Sequence, residues 1–194
     1  MQHLSIRVIH QEHQALAAML RSLSMLLAQA RRHGATPDFT VVRAMLFYLD
    51  EFPERLHHTK ESALLFPKLR LRRPELAATL DRIDREHAQG EKMIRELEHK
   101  LLAFEVLGDA RRDAFEQAIE QYIQFYFGHM GVEEGELLPA AEASLHESDW
   151  TEVDAAFAAN RDPLTGHEPD EVYRPLFSKI VMMAPAPIGL GPAA

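Results

Sequence analysis

His57-His58-Thr59-Lys60-Glu61-Ser62-Ala63-Leu64-Leu65-Phe66-Pro67 and His129-Met130-Gly131-Val132-Glu133-Glu134-Gly135-Glu136-Leu137-Leu138-Pro139 are one pattern written twice. Both read His-x-x-x-Glu-x-x-x-Leu-(Phe/Leu)-Pro, and His, Glu and Pro all recur at an offset of 72 positions. Upstream of each lies a second shared piece, Glu12-His13 with Met19 and Glu86-His87 with Met93. The unit is therefore Glu-His followed by His-x-x-x-Glu, and the chain carries it twice.

The surrounding sequence predicts four long helices. Ile9, His13, Leu16, Leu20, Leu23 and Leu27 recur every three or four residues, the stripe of a bundle helix that ends near Gly34. Leu76, Leu80, Ile83, His87, Gly90, Ile94, Leu97, Leu101 and Phe104 repeat that alternation behind Pro74. A second helix is expected from an Asp38 cap to about Arg70, and a fourth from about Asp109 to about Ala143. Pro53, Pro67 and Pro139 predict kinks or early ends there. Residues 1–146 hold 11 of the 20 Gly and Pro, and residues 161–194 hold nine. The expectation is an all-α fold: an up-down-up-down four-helix bundle over 1–146 and a short helical extension over 147–194. In the extension, Ser148 is expected to cap one short helix, and Asp170 to Met183 to form another interrupted by Pro175. Trp150, Val153, Phe157, Tyr173, Leu176, Phe177, Ile180 and Val181 are too many large apolar groups for a free tail. They are expected to pack on the bundle or against a second subunit in a homodimer, with Pro185 to Ala194 as an extended arm.

Helix geometry turns the repeat into chemistry. Residues four apart share a helix face, so His57 with Glu61 and His129 with Glu133 can reach one centre. His13 and His87 occupy stripe positions where leucine would otherwise stand. A lone histidine on such a stripe is ordinary core. Four histidines in phase with two glutamates are not, because two unpaired buried carboxylates each cost several kcal/mol unless cations offset them. A pair of divalent metals supplies that charge, with imidazoles as terminal ligands and the glutamates as bridges.

These residues resemble the hemerythrin-like (HHE cation-binding) family: His13, His57-x-x-x-Glu61, His87 and His129-x-x-x-Glu133, with Leu-Phe-Pro and Leu-Leu-Pro trailing the paired motifs. The resemblance covers about residues 4–143. It implies a four-helix bundle around two iron ions with an oxo or hydroxo bridge, binding O2, NO or peroxide for sensing, scavenging or iron handling. Oxygen-carrying members have two histidines four apart on the third helix, where this chain has His87 and Glu91. They also have His and Asp five apart on the fourth, where Glu133 follows His129 at four and Glu134 at five. The repeat with Glu61 selects Glu133, since Ser62 stands at the place equivalent to Glu134. Glu91 shares the ligand face with His87 and is an additional candidate, as ligand or as support for one. The adjacent His58 lies roughly 100° round the helix from His57 and is placed at the surface or behind a ligand. Glu54, Tyr126, Asp84 and His10, each three residues before a ligand, are candidates to hold one by a hydrogen bond.

Two alternatives stand beside this reading. A ferritin-like di-iron oxidase would use Glu-x-x-His pairs, and Glu54-x-x-His57 and Glu96-x-x-His99 have that spacing. A metal-free helical interaction module would use none of these residues as ligands. Composition narrows the field further. Lys and Arg number 21 against 30 Asp and Glu, a net charge of −9 that argues against a nucleic-acid partner. The absence of cysteine removes disulfides, thiolate catalysis and Cys-ligated clusters. No stretch approaches the roughly 18 apolar residues of a membrane span, and cytoplasm is the expected compartment.

Overall fold

The computed structural model describes residues 2–160, 162–168, 171–186 and 188–191, and among them every regular element is a helix. Among the described residues no helix is long and apolar enough to cross a membrane. Helix α1 (Leu4–Arg32) buries Ile9, His13, Leu16, Leu20, Leu23 and Leu27, the predicted stripe. It closes at Gly34, whose φ of 61° is the left-handed conformation that glycine adopts without steric cost. Asp38 caps the next run, its carboxylate accepting the N–H groups of Thr40 (2.8 Å) and Val41 (3.3 Å).

That second run, residues 39–72, changes its winding where the ligand motif begins. Helix α2 (Phe39–Leu49) passes into a π-wound stretch (Asp50–His57), one α turn, α3 (His58–Lys60), a second π stretch (Glu61–Leu65) and α4 (Phe66–Arg72). The fourth run repeats this. Helix α6 (Arg112–Val132) passes through a π stretch (Glu133–Leu137) into α7 (Leu138–Ser144). The N–H of Phe66 reaches the Glu61 carbonyl and that of Leu138 reaches the Glu133 carbonyl, five residues back in each case. The cause follows at Pro67 and Pro139: proline has no N–H to donate, and its ring crowds the carbonyl four residues earlier. Widening the turn relieves both, so the expected kinks and early ends are replaced by uninterrupted helix of altered pitch. Pro53 does the same inside the first π stretch.

Helix α5 (Ala77–Leu107) follows a 3-10 turn at Pro74–Leu76 and buries His87 and Gly90 along its predicted stripe. Asp109, the expected start of the fourth run, sits in the 3-10 turn Gly108–Arg111 that precedes α6. Helix α1 packs against α2 and α6, and α5 packs against the same two, so the four runs enclose one interior. Two apolar clusters fill it. One is built on Leu20, Met45, Tyr48, Phe104, Phe115 and Tyr122, the other on Ile6, Phe66, Leu80, Leu138, Trp150 and Phe157. The histidines and glutamates of the repeat belong to neither.

The extension lies on these helices. Helix α8 (Glu147–Ala158) is capped by Asp149, which accepts the His146 N–H at 3.0 Å, so Ser148 is inside the helix and not its cap. Its Trp150, Val153 and Phe157 are buried against α1 and α4 residues, each worth about 1.5–3 kcal/mol. Helix α9 (Arg174–Met183) carries Pro175 in its first turn, where proline is tolerated, so the helix is not interrupted; Asp170 lies outside the described residues. Phe177 and Ile180 pack against α2. The expected extended arm folds back instead: Leu190 N–H donates to the Val181 carbonyl (2.7 Å) and Gly191 N–H to that of Ala184 (2.9 Å). These bonds satisfy carbonyls at the end of α9 that no helical N–H reaches. Pro187 and residues 192–194 lie outside the described residues.

Candidate metal centre

His13, His57, Glu61, His87, His129 and Glu133 come together in the layer between the two clusters, each less than a tenth exposed. Glu61 Oε2 lies 3.3 Å from His57 Nε2 and 3.6 Å from His87 Nε2. Glu133 Oε1 lies 3.3 Å from His129 Nε2 and 3.5 Å from His87 Nε2, and its Oε2 is 3.4 Å from His13 Nε2. Each carboxylate thus faces imidazoles from both halves of the repeat. Both oxygens of Glu61, both of Glu133, and Nε2 of His87 and of His129 are buried with no hydrogen-bond partner. So many unsatisfied polar atoms aimed at one space is the signature of a cation site, because leaving each one unmatched costs about 1–3 kcal/mol.

The outward nitrogens explain the repeat's other half. Glu12 Oε2 accepts from His57 Nδ1 (2.7 Å), and Glu86 Oε2 accepts from His129 Nδ1 (3.0 Å). Glu134 Oε1 accepts from His13 Nδ1 (2.9 Å). In its equivalent place Ser62 Oγ accepts from His87 Nδ1 (2.9 Å) and its hydroxyl donates to Asp84 Oδ1 (2.6 Å). In each Glu-His pair the histidine faces the centre while the glutamate orients the histidine of the following helix. With Nδ1–H committed outward, Nε2 is the nitrogen left facing inward, the one a metal would take in exchange for a proton. Glu12, Glu86 and Ser62 were not foreseen as orienting residues, although the Glu-His repeat carried that signal.

Two sequence placements are corrected. Glu91 is not a ligand: its side chain is 48% exposed and pairs with Arg95 at 2.9 Å. The buried stripe of α5 steps from His87 to Gly90, which turns Glu91 to solvent. His58 is not at the surface, the first of its two expected places. It is 3% exposed, its ring stacks on His87 (4.2 Å, 13°), and it shares with His87 and His129 a cluster of nitrogens close enough to hold one ion. The second run is surrounded, so a residue 100° away from the first ligand still faces the interior, toward α5 and α6 instead of α1. Glu54 Oε2 accepts from His58 Nδ1 at 3.2 Å, and Oε1 of Glu54 accepts from the hydroxyls of Tyr122 (3.0 Å) and Tyr126. Gly90 makes room for this arrangement, since a Cβ there would collide with the Tyr126 hydroxyl. Of the other expected supports, Asp84 acts through Ser62, and His10 approaches Glu134 at 3.5 Å. The ferritin-like spacing fails structurally, because Glu96 and His99 both lie on the exposed side of α5.

Electrostatics match this geometry. Burial opposes charge on His57 and His129, but Glu61 and Glu12 raise the first well above its usual pKa, and Glu133 and Glu86 raise the second to about 9. Burial likewise opposes charge on Glu133, yet His129 holds it well below the carboxylate range. His58 moves the other way: burial and the neighbouring His87 push it well below 6.5, keeping its lone pair free.

Comparison with known proteins agrees with this construction. The sequence model of the hemerythrin HHE cation binding domain matches residues 4–141. A Haemophilus influenzae protein described as uncharacterized is 26% identical over 157 residues, which make up 80% of this chain and 89% of that protein. No solved structure matches the chain.

Proposed function

The chain belongs to the hemerythrin HHE cation binding domain family, and from that premise we propose that its four-helix bundle holds two iron ions at which O2, NO or peroxide binds. His13, His57 and Glu61 would hold one ion and His87, His129 and His58 the other, with Glu61 and Glu133 available to both. Support comes from one observation above the others: four carboxylate oxygens and two imidazole nitrogens are buried, unpaired and convergent. A metal-free interaction module would have no use for that cost.

When bound, iron would supply redox equivalents and coordination positions for a small ligand. The protein supplies the rest. Glu12, Glu86, Glu134, Ser62 and Glu54 hold five imidazoles in one tautomer and orientation, which raises their donor strength and fixes the geometry. The two apolar clusters above and below keep bulk water out and favour a small, weakly hydrated ligand. Burial lifts the Glu54 carboxyl to about 7, although the Tyr126 and Tyr122 hydroxyls pull it down, so near neutral pH this group can hold or release a proton beside His58.

The test is metal content together with the optical spectrum, before and after anaerobic reduction and exposure to O2 or NO. Two irons per chain, with absorption that changes on each exposure, are expected. One tightly held zinc and no iron would overturn the reading.

A further inference from the structure

The family match ends at residue 141, yet one of the centre's hydrogen-bond chains continues beyond it. Glu12, which orients His57 with Oε2, accepts at its other oxygen from Asn160 Nδ2 at 2.7 Å. Asn160 is 4% exposed and follows α8 directly. The segment around it is fixed on both sides. Before it, Asp154 accepts the N–H (2.8 Å) and hydroxyl (2.6 Å) of Ser5, and the Phe157 ring meets His57 edge-on (6.0 Å, 77°). After it, buried Asp162 accepts the Tyr48 hydroxyl (2.7 Å) and the Leu164 N–H (2.9 Å). Leu16, Pro53, Leu56 and Asn160 line a narrow cleft that reaches His13 and His57, so the extension also walls the approach to that side.

The equivalent chain in the other half stops short. Glu86, which orients His129, is 20% exposed on its side chain and pairs with Arg82 at 3.2 Å, itself 46% exposed. Solvent can serve Glu86, whereas Glu12 depends on a buried amide. A buried carboxylate that loses one of its two donors swings toward whatever donor remains, and the imidazole it orients moves with it.

We infer that Asn160 is a positioning residue for the His13–His57 half of the centre, and that the extension makes the two divalent-cation positions unequal. It locks His57 through Glu12 on one side and leaves the His129 side to solvent. The inference rests on the metal-binding reading above, and the experiment separates the two.

Full-length protein and its Asn160→Ala variant are loaded with ferrous iron and challenged anaerobically with a coloured chelator. One of the two irons should leave the variant at least tenfold faster than it leaves the unchanged protein, with the other unaffected. Unchanged release, or equal acceleration of both irons, overturns the inference. Diethyl pyrocarbonate modification of the metal-free proteins, read by peptide mass spectrometry, tests positioning without metal and without requiring a tight site. His57 should react at least fivefold faster in Asn160→Ala while His129 keeps its rate, and equal His57 rates overturn the inference. If the unchanged protein takes up no iron, the metal reading fails and the modification rates alone decide the role of Asn160.

Discussion

His13 and His57 face each other Nε2 to Nε2 at 3.2 Å, from positions 44 residues apart in the chain. Two imidazole nitrogens that share one ion at about 2.0–2.1 Å stand close to this distance from each other. Without a cation the nearby buried carboxylates keep His57 protonated, so a proton stands between the two rings where a metal would otherwise sit. Metal should therefore raise stability by the linkage amount, roughly 2.7 kcal/mol when free metal is 100 times its dissociation constant. Calorimetric melting with and without ferrous iron under anaerobic conditions checks this. Coincident melting curves would remove the centre from the core.

Four substitutions distinguish the residues of the candidate centre. Glu61→Ala removes a shared carboxylate and should abolish binding of both metals. His58→Ala should weaken one of the two, and Glu54→Gln, which acts through His58, should cost about 10–100-fold in affinity for that same ion. Glu91→Ala, on the exposed side of α5, should leave both bound. Titration followed by metal analysis reads all of these. Full two-metal affinity in His58→Ala would return that residue to a packing role.

Gly90→Ala should be unusually costly for so small a change. The new methyl meets the hydroxyl end of buried Tyr126, which is tied to Glu54 and cannot swing to solvent. Overpacking of this kind costs about 1–3 kcal/mol. Denaturant melts of Gly90→Ala and of a Gly90→Ala/Tyr126→Phe double variant would test the cause, because removing the hydroxyl relieves the closest contact and should recover part of the loss, with Tyr126 Cζ and Glu54 Oε1 still 2.9 Å from the new methyl.

A fourth test uses pH. Burial raises Asp162 from 3.8 to about 6, with the Tyr48 hydrogen bond opposing. The folded protein then binds the Asp162 proton more tightly than the unfolded chain. This stabilising contribution is complete below pH 3.8 and is lost as pH rises through 6, by roughly 3 kcal/mol in all. Asp162→Asn lacks that loss. The stability of the variant relative to the unchanged protein should climb between pH 4 and 7, and parallel profiles would contradict it.

The repeat and the leucine stripes made the helices and six ligand candidates readable, because period and residue type are local properties of a sequence. Glu91 as a ligand and His58 at the surface fail for one shared reason: each is read by helical angle from a neighbouring ligand, and that angle does not say how much of a helix is enclosed. The α5 stripe runs through His87 and Gly90 as the apolar period predicts and leaves Glu91 outside it, whereas the second run is enclosed on so much of its circumference that adjacent residues His57 and His58 both face inward. The pairing of Asn160 with Glu12 spans 148 residues and leaves no periodic trace at all. The fold-back of residues 188–191 onto α9 is likewise a matter of tertiary closure.

Each π turn at Glu61–Leu65 and Glu133–Leu137 stores one residue more than an α turn of equal height. It therefore works as a gear between two registers. Upstream of it, the helix is indexed to the buried His and Glu side chains of the centre; downstream, Phe66 and Leu69, or Leu138 and Ala141, are indexed to the apolar cluster below. Closing either turn to α pitch with every residue kept, the expected result of replacing Pro67 or Pro139 by alanine, would rotate everything beyond it by roughly 100° and send those buried side chains toward solvent, whereas deleting one residue inside the turn would leave both registers in place. Coordination and packing can accordingly be varied one at a time in this chain, because the same covalent helix counts them separately.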